Sequence, residues 1–247
     1  MLRLALLAVV SASASVVLLL PAVEQDVPPA VAGPAIAAAS PPRIAPARIR
    51  PGDVAVLLID VQPQFVKIMS GNPEPVLARL EQLLLFADIW GIPVLATVEQ
   101  SRAPSPATID RLTKAMPAGT KTLTKTRFDA TAEPEIAAAI RALGKRQIVV
   151  AGCETDVCVL QTVLGLVGSG YEVFLLEDAV FSHEPNVGPA LRRMAAAGAV
   201  PSTFKTFYFE YETSVAPAEF GAAQRERLRQ LRERVLDPYD LPASSPR

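Results

Sequence analysis

The sequence predicts one α/β domain, Rossmann-like and three-layered, with a mostly parallel sheet of about six strands and helices on both faces. Three observations predict it. Short, continuous apolar runs end in polar residues, segments of helical period lie between them, and the two kinds alternate along the chain. The first run is Val54–Asp60 (VAVLLID), and Pro93–Gln100 (PVLATVEQ), Gln147–Gly152 (QIVVAG) and Tyr171–Val180 (YEVFLLEDAV) repeat its form. Strands that are apolar without interruption suit a sheet covered on both faces. Helical period marks Glu74–Trp90, Pro134–Leu143, Thr155–Gly168 and Pro185–Ala197, so right-handed crossovers between parallel strands are the economical topology. Lys121–Lys125 and Ala199–Phe204 are weaker strands that complete the sheet. A last amphipathic helix, Ala216–Val235, carries enough charge to pack on the outside or on a partner subunit.

A chain of 247 residues, 50% of them hydrophobic, holds enough apolar material for one sizeable core. The net charge is −1 and no basic stripe interleaves with aromatics, so the composition gives no footprint for nucleic acid and that partner is set aside. Arg3 precedes the uncharged run Leu4–Leu20, and residues 1–22 have the layout of a signal peptide. The run lies at the lower edge of what spans a bilayer, so a retained membrane anchor is one alternative and a mis-assigned start on a cytosolic protein another. Export, periplasmic or secreted, is the expectation, with a membrane tether in the anchored case. Residues 23–51, rich in Pro and Ala, read as an extended linker. The folded domain is placed at residues 52–215 and a C-terminal helix and tail at 216–247.

In an open parallel sheet, ligands bind beyond the carboxyl ends of the strands, where the strand order reverses. Asp60, Lys125 and Cys158 fall at such ends, so the topology would gather an acid, a base and a thiol. Cys153 and Cys158, in AGCETDVCVLQ (Ala151–Gln161), are the chain's two cysteines. With Thr155 as N-cap, Cys158 occupies the third position of a helix, where the dipole favours thiolate and backbone N–H groups face an incoming oxyanion. Blander readings stay open: a turn residue for Asp60, a solvated charge for Lys125, a packed small hydrophobe for Cys158. In an exported protein a Cys153–Cys158 disulfide is a further alternative.

The stretches LLIDVQPQF (Leu57–Phe65), TKTRFDA (Thr124–Ala130) and VAGCETDVCVLQTVLGLVGSGYEVFLLEDA (Val150–Ala179) resemble the isochorismatase-like cysteine hydrolases. The resemblance implies a role for each matching residue. Asp60 corresponds to the aspartate that takes the thiol proton and later passes it to the leaving group. Lys125 corresponds to the lysine whose charge helps hold Asp60 and the thiolate ionised. Cys158 corresponds to the nucleophile, whose acyl intermediate is resolved by water. A cis peptide between Cys153 and Glu154 is implied as well, with backbone N–H groups of Glu154 and Cys158 as the oxyanion hole.

Departures from the family narrow the chemistry. Nicotinamidases of this fold hold a metal through an Asp-x-His pair and another histidine; this chain has one histidine, His183, so no metal and no cofactor are expected. His183 is read as a rim residue. Cysteine at the motif position points to C–N hydrolysis rather than to the vinyl-ether cleavage of isochorismatases themselves. Glu99 and Gln100 resemble a subgroup with poorly defined substrates, and together with Phe65 they are candidates for the pocket wall. The aromatic stretch Lys205–Ser214 suits a subunit interface and a core equally. The reading is a metal-independent, homo-oligomeric cysteine hydrolase of a small-molecule amide or ureido C–N bond. Its rivals are a vinyl-ether hydrolase and a non-catalytic exported binding protein on the same fold.

Overall fold

The computed structural model describes residues 47–100, 107–213 and 220–236. The expected signal or anchor segment, most of the linker and the C-terminal tail lie outside the described residues. Six strands, β1 (Val54–Ile59), β2 (Val94–Glu99), β3 (Lys121–Lys125), β4 (Gln147–Cys153), β5 (Glu172–Phe181) and β6 (Val200–Ser202), form one sheet in the order β3-β2-β1-β4-β5-β6. Every neighbouring pair is parallel. The order runs outward from β1 in one direction and from β4 in the other, so the reversal lies between these two central strands.

The unbroken apolar runs serve two cores, because successive side chains of a strand point to opposite faces. Val54, Val56 and Leu58 join the core beneath α2 (Glu74–Trp90), α3 (Asp110–Ala115), α7 (Phe204–Glu212) and α8 (Ala222–Leu236). Ala55, Leu57 and Ile59 join the other, beneath α4 (Pro134–Ala142), α5 (Leu160–Gly168) and α6 (Gly188–Ala196). A short helix, α1 (Pro63–Ile68), follows β1 and starts on a proline whose missing N–H would have no helical partner there. At the far end of α2, Gly91 adopts φ +64° and its N–H returns to the Ala87 and Asp88 carbonyls, which stops the helix ahead of β2.

Several boundaries differ from the sequence expectation. The packed domain begins earlier than Gly52: Ile49 is buried in the first core, and Arg50 pairs with Asp53 and with Glu172 at 2.8 Å. Composition hid this, because a few anchoring side chains suffice to fix the end of a Pro/Ala-rich segment. The helices α3 and α7 were not anticipated. In α7, Phe204, Phe207, Tyr208 and Tyr211 fall at helical spacing and pack on Phe86, so the aromatic stretch is mainly core, with Phe209 left exposed. α8 lies on α2 of its own chain, burying Leu228 and Leu231.

Candidate active site

The site forms where β1, β3 and β4 end. Asp60, the first residue after β1, takes φ +50°, a left-handed conformation that Asp tolerates better than most residues and that here turns the chain at the strand end. Its carboxylate is fully buried. Oδ1 accepts a hydrogen bond from the Thr97 hydroxyl at 2.8 Å, and Oδ2 lies 2.7 Å from the Lys125 ammonium, itself fully enclosed. The same ammonium donates to Cys158 Sγ at 3.3 Å and to the Arg127 carbonyl at 3.2 Å. Asp60, Lys125 and Cys158, separated by as many as 98 positions in the chain, therefore meet around one buried cation.

Close packing beneath the site depends on Gly152. At φ +121° it lies so near β1 that a Cβ would stand 2.0 Å from the Ile59 carbonyl oxygen, a backbone atom that cannot yield. The Cys153–Glu154 peptide that follows is cis. Beyond it the chain does not start an ordinary helix with Thr155 as cap. Glu154 is the N-cap, with no side-chain cap bond, and residues Thr155–Val159 form a wide turn closed by Val159 N–H to the Glu154 carbonyl, an i→i+5 bond of 3.0 Å. The Thr155 hydroxyl is buried inside the turn rather than capping it. Cys158 is the fourth residue of this turn, ahead of α5.

The surroundings of Cys158 work against the thiolate expected from the helix-start position. Burial, then the Asp60 carboxylate, push the Cys158 thiol up to about 12, against the opposing pull of Lys125. Burial also works against the Lys125 charge, but Asp60 and then Cys158 outweigh it and hold the ammonium more firmly than usual. Burial and Asp60 thus favour the neutral thiol beside the Asp60–Lys125 ion contact. Cys153 differs. Its sulfur donates to the Asp60 carbonyl at 3.0 Å, and burial raises its pKa well above the ordinary range. Both cysteines are free, so the disulfide alternative is not what the structure contains.

The remaining candidates divide. Glu99 Oε2 lies 3.7 Å from Cys158 Sγ, at the site itself. Gln100 is exposed and Phe65 half-buried against the first core. His183 is exposed at the rim, its backbone N–H donating to Glu154 Oε1 at 3.3 Å. Asp60, Glu99 and Cys158 offer donor atoms within 4.8 Å of one another, a spacing that suits a cation; the Lys125 ammonium already contacts two of them. Sequence reading missed Thr97 and Gln62. Gln62 is fully buried and clamps the Glu99 backbone from both sides, Nε2 donating to its carbonyl at 3.1 Å and Oε1 accepting its N–H at 2.7 Å. A polar residue inside a run destined for burial, such as Thr97 in VLATVE, was the available signal.

Comparison with known proteins agrees with this architecture. The Escherichia coli "Probable hydrolase YcaC" is 26% identical over 154 residues, covering 62% of this chain and 74% of the relative. The YcaC structure from Pseudomonas aeruginosa, solved with hexane-2,5-diol and covalent acrylamide, superposes with a TM-score of 0.65 at 26% identity, over 69% of this chain and 85% of that one. The Escherichia coli YcaC structure gives a TM-score of 0.69 at 23% identity, over 78% and 93% of the two chains. The family model for the isochorismatase domain matches residues 54–206, from the first residue of β1 into α7, and this chain belongs to the isochorismatase-like hydrolase family.

Proposed function

We propose that the protein is a cysteine hydrolase that cleaves a small amide or ureido C–N bond. The observation that carries the reading is the Cys158 sulfur held 3.3 Å from a buried ammonium that is itself paired to Asp60 at 2.7 Å. A thiol with the Asp60 carboxylate within 4.8 Å and an ammonium at 3.3 Å has both an acceptor for its proton and a cation to stabilise the anion that forms. In the first half-reaction Sγ bonds to the substrate carbonyl carbon while its proton passes to Asp60. The C–N bond then breaks, and the nitrogen leaves with that proton. In the second half-reaction water attacks the thioester, gives a proton to Asp60, and the expelled sulfur takes it back as the acid product departs. The oxyanion is assigned to the backbone N–H groups of Glu154 and Cys158. Among the described residues the Glu154 N–H donates to no protein acceptor, which supports its part.

The chemistry of relatives is consistent with this reading. The Pseudomonas aeruginosa protein carries covalent acrylamide, an electrophile of the kind thiols attack. The Escherichia coli structure is described as an octameric hydrolase of unknown specificity, and we extend homo-oligomerisation to this chain. Export, with residues 1–22 cleaved or kept as an anchor, rests on the sequence of that segment; N-terminal sequencing of protein from the native host decides it.

The test is turnover of a panel of small primary amides and ureides, read as ammonia release. Wild-type protein hydrolyses at least one compound and Cys158→Ala, folded by near-UV circular dichroism, does not. Equal turnover by both proteins would contradict the reading.

A further inference from the structure

Of the carboxylates on the strand ends and the turn that form the site, most are engaged. Asp60 holds Lys125 and Thr97. Glu154 accepts the His183 N–H, and Asp156 accepts the Ser182 hydroxyl at 2.5 Å. Glu99 is different. Its side chain is half-buried at the end of β2, on the same sheet face as its register partner Lys125, yet no lysine or arginine among the described residues pairs with it. The contact found for its carboxylate is with Cys158 Sγ, at 3.7 Å. Its position is nonetheless built: the fully buried Gln62 fixes the Glu99 backbone through two hydrogen bonds of 2.7 and 3.1 Å. A pinned carboxylate aimed at the reacting atom, for which the described residues offer only a weak thiol donor, is an acceptor waiting for a better one.

We propose that Glu99 selects the substrate by charge: it accepts an N–H next to the reacting carbon, and the site takes uncharged or cationic amides and ureides while turning away those bearing a carboxylate near the scissile bond. The geometry limits what the residue can reach. A carbon bonded to Sγ brings its own substituents within hydrogen-bonding range of an oxygen 3.7 Å from that sulfur, so the N–H it recognises is on the scissile or adjacent nitrogen. Charge balance points the same way. Among the described residues Asp60 and Lys125 cancel, which leaves Glu99 without a countercharge at the nucleophile. An anionic substrate would meet it at short range in a partly desolvated site, where like charges repel more strongly than in water.

This inference rests on Cys158 being the reacting atom, and the test separates the two. Full-length protein is alkylated with iodoacetamide, which is neutral, iodoacetate, which is anionic, and 2-bromoethylammonium, which is cationic, with modification at Cys158 followed by peptide mass spectrometry. In each case Sγ bonds to carbon, halide leaves and the thiol proton goes to buffer. The ratio of neutral to anionic rates in folded protein is expected to exceed that in unfolded protein by about tenfold, as an unscreened charge a few ångströms away predicts. The cationic reagent, compared with iodoacetamide, shows the opposite bias in wild-type protein, so the result does not depend on a variant folding. Glu99→Gln should return the ratio toward the unfolded value, chiefly by accelerating iodoacetate. A ratio equal in folded and unfolded protein, or unmoved by the substitution, overturns the selection. So does a collapse of the iodoacetamide rate in Glu99→Gln, which would place Glu99 on the sulfur's proton instead. A Cys158 inert to all three reagents when folded, yet reactive when unfolded, would overturn the nucleophile assignment itself.

Discussion

Cys153 and Cys158 stand five positions apart and are both buried, yet they end in opposite chemical situations. Cys153 closes β4 with its sulfur directed at a backbone carbonyl, and every nearby carboxylate raises its pKa further. Cys158 lies in the wide turn after the strand, within reach of an ammonium and two carboxylates. Burial raises both, but only at Cys158 does a directly bonded cation oppose it. Depth of burial does not separate a structural sulfur from a reactive one; the polar groups each can reach do.

The comparison breaks most decisively by deletion. Cys158→Ala should lower turnover by about 10³-fold or more, the loss typical of removing a nucleophile, while Cys153→Ala keeps turnover within about tenfold. Kinetics of both variants on one amide substrate check this. Asp60→Asn should cost turnover nearly as much while moving thiol reactivity the other way. Asp60 raises the Cys158 pKa, so its removal leaves Lys125 free to favour thiolate, and the alkylation profile shifts to lower pH than in the wild-type protein. Lys125→Met has the opposite sign: the opposing cation is lost, alkylation at neutral pH slows, and the orphaned Asp60 charge destabilises the fold by about 3–5 kcal/mol. Urea unfolding reads that figure, and the Asp60→Asn/Lys125→Met double variant should recover part of it. Thr97→Val removes the donor to Asp60 Oδ1 and should cost about 1–3 kcal/mol, a buried charged acceptor left short of a partner. Smallest is the stability effect of Cys153→Ala, about 1 kcal/mol for a small buried side chain.

Much of this arrangement was legible in the chain. Unbroken apolar runs marked β1, β2, β4 and β5, and their alternation with helical segments predicted a sheet whose strand ends would gather Asp60, Lys125 and Cys158. The weak strands at Lys121–Lys125 and near Val200 also exist, at the two edges where short or polar strands are tolerated. Other features were hidden for physical reasons. The aromatics of α7 lie at helical spacing, but side chains of high β-propensity mask that period. The i→i+5 turn has no residue-type signature, since Thr155 reads as a cap and becomes a buried turn residue instead. Gln62 and Thr97 act across strands, and such contacts are set by register rather than by anything local to either residue.

The central claim is that Cys158, and not Cys153, becomes acylated. Full-length protein mixed with p-nitrophenyl acetate, quenched in acid after short times and digested, tests it by locating the acetyl group. The account predicts a transient acetyl thioester on Cys158 that decays as water resolves it, and an unmodified Cys153. Acetyl on Cys153, or a folded protein in which Cys158 stays unmodified while p-nitrophenol is released, would contradict it.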